Sequence, residues 1–329
     1  MPPGTVHPLA ARRLTVETSK LSSVTTPASP LERELAVRLA AQAWLDEQRR
    51  AGTEAWSHAE LAQFRFGVER IPLMDAQRGI RKPASMQAAL SIRTVYRAAG
   101  AERPYDDGIG PDGLLRYKWR GTDPDHPENR ALRAAWQLQV PLIWFYGFAA
   151  GLYAAVYPVY LMAEERDQQQ FVVAIGEDQR AIDVGHAASP VVRAYVERMT
   201  RQRLHQPAFR AGVMRAYGTR CAVCAFRHGT LLDAAHIIGD AAGGDPVTPN
   251  GLALCKIHHG AYDANILGIR PDLTIHVRED VLREVDGPML RHGIQDHHNQ
   301  HLMVVPDARR ERPDAERLAQ RYAAFLASA

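Results

Sequence analysis

The 329-residue sequence predicts an α+β protein of two lobes, β-rich in front and metal-stapled behind. Three observations carry that expectation. Residues 140–162 run 23 positions without a charge, yet hold Pro141, Gly147, Gly151 and Pro158, which suits buried strands better than a helix. All three cysteines, Cys221, Cys224 and Cys255, fall in one 35-residue span, with His258 three positions beyond. Helical patterns stand at the front, between the lobes and at the end.

In chain order, residues 1–28 are rich in Ser, Thr and Pro and are expected to form a flexible tail. Ser29 followed by Pro30 opens a helix to about Arg50, because proline is preorganised for a first turn. Ser57 and Glu60 have the spacing of a capping box. From about Phe66 to Ile175 the pattern is β-rich with turns. Residues 140–162 are as long as a membrane span, but their breakers and four tyrosines read as two strands joined by a turn at Gly147–Gly151. A helical connector follows Pro190, and a second helix starts near Pro207 and stops at Gly218. The rear lobe reads as strand (LLDAAHII), turn-rich loop (GGDPVTPNG), short helix from Cys255, strand (LTIHV) and C-terminal helix. The expected division is therefore 29–189, a basic helical linker 190–206, and 207–329.

Composition is that of a globular chain, 46% hydrophobic and 23% charged, with net charge +3. The start, MPPGTVHPLA, has no apolar core of a secretory signal, so a cytoplasmic protein with no membrane association is expected. Arg193, Arg198, Arg201, Arg203, Arg210 and Arg215 face only Glu197, a stretch able to neutralise phosphates.

The chemistry concentrates between 221 and 263. A Cys-x-x-Cys pair, Cys221 and Cys224, is followed 31 residues later by a Cys-x-x-His pair, Cys255 and His258. Four such soft ligands make a closed structural zinc site, and three cysteines cannot close a disulfide set. A second series, His236, Asn250 and His259, is spaced 14 and then 9 residues apart, on the strand, the loop and the helix. His297, His298 and His301 lie in a polar segment without partner cysteines and read as a solvated loop.

This pattern resembles the HNH, or ββα-metal, nuclease motif. The resemblance implies DNA cleavage, with His236 as general base toward water and Asn250 holding its imidazole. It also implies that His259 ligates a catalytic divalent cation (Mg²⁺, Mn²⁺, Co²⁺ or Ni²⁺) apart from the structural Zn²⁺. Ala235 stands where many relatives place a second metal ligand, and Asp233, two residues earlier on the same strand face, is its candidate substitute.

The front lobe carries a second resemblance. YDDGIGPDGLLRYKWRG, ENRAL, VPLIWFYG and GLYAAVYPVYL follow in the order found in SRA domains, across roughly Phe66 to Ile175. Lys118 replaces the threonine those domains place after the second tyrosine. The resemblance implies an SRA-like (PUA-like) β-barrel with helices that extrudes and inspects a modified cytosine. Tyr105 and Tyr117 would stack on the base, Asp106 or Asp107 would accept from its amino group, and Trp119, Arg201 and Arg203 would complete the DNA contacts. Together the two resemblances imply a bacterial modification-dependent restriction endonuclease acting on double-stranded DNA carrying modified, 5-methylated cytosine. A one-metal site cuts one strand, so a homodimer is expected. An HNH nuclease reading sequence, shape or a backbone modification, and a non-cleaving reader of modified DNA, are the alternatives.

Overall fold

Ser29 starts the front lobe with a reciprocal cap: its hydroxyl accepts from Glu32 N–H, and the Glu32 carboxylate accepts from Ser29 N–H. With Pro30 in the first turn this launches α1 (Pro30–Arg50). The computed structural model describes residues 29–96, 108–182, 184 and 189–328. The expectations for the tail 1–28 and for Tyr105, Asp106 and Asp107 lie outside the described residues. Ser57 and Glu60 repeat the cap for α2 (His58–Leu61). A small hairpin of β1 (Arg65–Phe66) and β2 (Glu69–Arg70) follows.

The main sheet has six strands: β3 (Ile80–Arg81), β4 (Ser91–Thr94), β5 (Leu115–Lys118), β6 (Leu142–Ala149), β7 (Leu152–Glu165) and β8 (Gln170–Ile175). Their order is β3-β4-β6-β7-β8-β5, antiparallel except for the β4–β6 pair. Helix α3 (Pro127–Gln137) packs beside β7. Burial on both faces explains the charge-free stretch. Leu142 and Trp144 join one core with Val156 and Phe171, while Ile143 and Phe145 point to the other, against Val37, Ala41 and Leu45 of α1. The β6–β7 turn falls at Ala150 and Gly151, shorter than the sequence suggested. Among the described residues no helix is long and apolar enough to cross a membrane.

The sheet curls without closing into the expected barrel. Its outer strands, of two and four residues, are not backbone-paired to each other. Instead the Tyr117 hydroxyl, on β5, lies 3.4 Å from the carbonyls of both Gly79 and Arg93 at the opposite edge.

A second correction concerns the linker. One helix, α4 (Pro190–Ala216), runs 27 residues straight through Pro207. Proline removes one N–H, but packing holds the turns on either side of it. Leu204 belongs to the sheet core, and Phe209, Val213 and Met214 belong to the rear core. Three of the six arginines of α4 are held by acids of neighbouring elements. Arg203 grips both oxygens of Asp178 (2.6 and 2.8 Å) and the Ile175 carbonyl. Arg215 pairs with Glu311. Arg210 binds Glu54 of the front lobe (2.7 Å) and the Leu232 carbonyl of the rear (2.7 Å), a clamp between them.

The rear lobe pairs β9 (Leu232–His236) with β10 (Gly251–Cys255), runs directly into α5 (Lys256–Asp263), and continues through a β11 (Leu267–Ile269) and β12 (Ile275–Val277) hairpin. Two short helices follow, α6 (Glu279–Arg283) and α7 (Pro288–Gly293), and α8 (Ala315–Ala327) closes the lobe through Leu318 and Phe325.

Candidate active site

The thiols gather where the 221–224 knuckle meets the β10–α5 junction. The ligand atoms of Cys221, Cys224, Cys255 and His258 all lie within 4.8 Å of one another, the only such group among the described residues. His258 Nδ1 sits 3.1 Å from Cys255 Sγ and 3.5 Å from Cys221 Sγ. Zinc bonds of about 2.3 Å to sulfur and about 2.0 Å to nitrogen would set tetrahedral ligands roughly 3.5 Å apart, so the residues fit the ion. The Gly293 carbonyl can only accept, so His258 Nε2, 2.8 Å away, carries the proton and Nδ1 is left for metal. Burial opposes a charged imidazole, yet Cys221 and Cys255 outweigh it and raise His258 to about 10. Contacts with Cys221 and Cys224 push the Cys255 thiol down, while Cys221 and Cys255 push Cys224 up. Such a pocket favours a cation. His297 packs edge-on to His258 with ring centres 5.3 Å apart, and His298 Nδ1 accepts from Val277 N–H, so this segment braces the site where a solvated loop was expected.

The second series surrounds the other side of α5. His236 ends β9 and stacks on Phe209 of α4, with ring centres 4.0 Å apart and planes 12° from parallel. Its Nε2 lies 3.5 Å from Asp240 Oδ1 without the alignment of a hydrogen bond. Burial lowers its pKa, Asp240 opposes that and His259 adds to it. The ring is therefore neutral near pH 7, the form that accepts a proton.

Asn250 does not hold this imidazole. Its Oδ1 accepts from Ile238 N–H, and its Nδ2 donates to the carbonyls of Ile238 and Asp245, each at 2.9 Å. The amide is fully buried and fully used, so it fixes the backbone just after His236 and acts as a positioning residue.

His259, the next residue after a zinc-facing one, turns to carboxylates: Nδ1 is 3.1 Å from Asp233 Oδ2 and Nε2 is 3.3 Å from Asp263 Oδ2. Asp233 also pairs with Lys256 at 2.6 Å. Burial pushes the Asp233 carboxyl up, but Lys256 and His259 outweigh it and keep it below the usual range. An imidazole nitrogen beside a carboxylate oxygen suits a hard or borderline divalent ion, and His259 with Asp233 would hold it. Asp240 and Asp263 escaped the sequence reading. Each sits four residues after its histidine, a helical spacing that could have flagged Asp263 on α5. Nothing in the sequence signalled Phe209.

A cavity of about 900 Å³ opens between the sheet, α4 and the loop ahead of Asn250. Tyr117 and Trp119 line it, both almost fully buried, Tyr117 edge-on to Trp144 and Trp119 against Phe171. Arg201 reaches it while paired to Glu197, whereas Arg203 is paired with Asp178 and does not line it. The far wall is made by His205, Ala208, Phe209 and Val247.

No curated protein matches the chain. Among solved structures it is similar to the "Modification dependent TagI restriction endonuclease", at 19% identity over 76% of this chain and 86% of that one, with a TM-score of 0.29. It is also similar to the "Type IV phosphorothioation-dependent restriction endonuclease ScoMcrA", at 14% identity over 57% of this chain and 48% of that one, with a TM-score of 0.22. Residues 221–270, which contain the thiol cluster and all of β9, β10 and α5, match the HNH endonuclease family. The rear lobe thus carries an HNH endonuclease domain, and the chain is a metal-dependent DNA endonuclease.

Proposed function

We propose that this nuclease is modification-dependent, with the front lobe reading a modified base in DNA and the HNH site hydrolysing the backbone. The observation that carries the reading is Phe209, which lines the cavity of the front lobe and stacks on His236. Reader and cutter share one side chain.

In the cutting step, neutral His236 takes the proton of the attacking water, and Asn250 keeps the following backbone in register. A divalent ion held by His259 and Asp233 would stabilise charge on the phosphate and leaving oxygen. In the reading step, the curled SRA-like sheet receives an extruded, modified cytosine against Tyr117 and Trp119. The nuclease acts in the bacterial cytoplasm and works as a homodimer, one site for each strand.

The test is digestion of one plasmid prepared with and without cytosine methylation, across Mg²⁺, Mn²⁺, Co²⁺ and Ni²⁺. Selective cutting of the methylated form is expected, and equal cutting of both removes the base-modification reading. A second reading, recognition of a backbone modification, is favoured by the cations at the cavity, Arg93, Lys118, Arg120 and Arg201. Selective cutting of phosphorothioate DNA would establish it instead.

A further inference from the structure

Helix α5 sorts its side chains by face. His258 and Tyr262 turn inward and are buried, His258 among the thiols and Tyr262 in the rear core. Lys256, His259 and Asp263, at steps of three and then four residues, share the outer face. Asp233 of β9 stands against that face. Lys256 Nζ lies 2.6 Å from its Oδ1, and His259 Nδ1 lies 3.1 Å from its Oδ2. Arg210 Nη1 is 3.8 Å from Oδ1 as well. Two permanent cations thus attend one carboxylate, and both stand beside the oxygen atoms that would hold a divalent ion.

The two cations are not equally fixed. Every nitrogen of the Arg210 guanidinium is anchored elsewhere: Nε to Glu54 at 2.7 Å, Nη1 to the Leu232 carbonyl at 2.7 Å and Nη2 to the Gly229 carbonyl at 3.1 Å. Lys256 has Asp233 as its one partner among the described residues, and its side chain is 57% exposed. An exposed lysine–carboxylate pair contributes little to stability, and the lysine stem is flexible. Like charges repel, so Asp233 cannot serve Lys256 and a divalent ion equally well. Lys256 is the cation able to give way, and the anion that arrives with the substrate is the phosphodiester.

We propose that Lys256 is a phosphate-binding residue of the cutting step: it holds Asp233 in the free enzyme and moves to a non-bridging oxygen of the scissile phosphodiester once DNA is bound. Lys256 belongs neither to the thiol cluster nor to the series of His236, Asn250 and His259. The inference rests on the reading of His259 and Asp233 as the residues that hold the divalent ion. From the start of α5 the ammonium needs only a swing of its own side chain to reach that phosphate. There it neutralises the charge that gathers on the phosphate oxygens as the bond to the leaving oxygen lengthens.

The experiment uses the full chain. Lys256→Met removes the ammonium and keeps an unbranched stem, and Lys256→Arg restores a cation. Zinc content and melting temperature, expected at wild-type values for both, report folding of the lobe. Single-turnover cleavage is measured at saturating Mn²⁺ on whichever plasmid form the wild type cuts. Mn²⁺ affinity without DNA is read from the electron paramagnetic resonance of the free ion. The salt dependence of duplex binding is measured at fixed Mn²⁺ in a His236→Ala background, so that DNA stays intact. Lys256→Met should slow cleavage roughly tenfold or more, and Lys256→Arg should recover most of the rate. Mn²⁺ affinity should hold or tighten in Lys256→Met, since a competitor for Asp233 is gone. The slope of log affinity against log salt should become shallower by about 0.9, the worth of one phosphate contact.

Wild-type cleavage by Lys256→Met overturns the proposal, and so does an unchanged salt slope. Weaker Mn²⁺ binding also overturns it, because Lys256 would then only position Asp233. Should Lys256→Met lose its zinc, Lys256→Gln is read in its place. Asp233→Ala tests the underlying reading separately. If that variant keeps full Mn²⁺ affinity, the ion is held elsewhere and the proposal falls with the reading. If it loses Mn²⁺ while Lys256→Met cuts normally, the proposal falls alone.

Discussion

His236 sits beneath Phe209 with its proton affinity reduced by burial, and two outcomes follow at that scale. Replacing His236 with alanine should slow plasmid cleavage by about 10²–10⁴-fold, the usual worth of a general base, while DNA binding measured by anisotropy persists. A general base at His236 would work unprotonated, so the rate should fall as pH drops through its pKa. Because that pKa is lowered, the fall belongs on the acid side of about 6.5, and a single-turnover profile should be flat across neutral pH. Asn250 makes a different prediction. Its three hydrogen bonds serve the Ile238 and Asp245 backbone, so Asn250→Ala should lower the melting temperature as well as the rate. The placement of His236, Asn250 and His259 on strand, loop and helix was legible in the sequence from their spacing. The amide's true partners were not, because no spacing tells whether a side chain binds a ring or a main chain.

The elements tell the same story at larger range. The capped starts of α1 and α2 and the β9–β10–α5 order could be read directly, since caps and hairpins are local. The join at Pro207 could not, because a proline ends a helix only if nothing packs on both sides of it, and here Leu204 and Phe209 do. The expected closed barrel does not form: strands of two and four residues are too short to pair across the seam that Tyr117 spans. Close packing of β10 on α4 can be tested. A methyl on Gly251 would stand 2.4 Å from Val213 and 2.9 Å from Phe209. Gly251→Ala should therefore cost about 1–3 kcal/mol of stability and displace Phe209 from His236, read as a lower melting temperature and slower cleavage. The thiol cluster should hold the rear lobe together, so a strong zinc chelator or Cys224→Ser should unfold it, seen as lost near-ultraviolet circular dichroism and a zinc stoichiometry below one.

For the whole molecule, the informative feature is α4, one rod embedded in two cores and clamped at Arg210 between Glu54 and Leu232. Phe209→Leu keeps bulk but loses the flat face against His236, and should weaken cleavage more than binding, a separation that anisotropy and single-turnover rates would show. Time courses on supercoiled plasmid should pass through a nicked form if two protomers each cut one strand. Charge alone did not foretell that three of the α4 arginines, Arg203, Arg210 and Arg215, pair with Asp178, Glu54 and Glu311 of neighbouring elements. A rod of this kind also limits modular exchange. Grafting the front half onto an unrelated cutting domain at residue 190 or 206 would sever the helix that the two cores share. Such a chimera should still find its mark yet cleave indifferently to it.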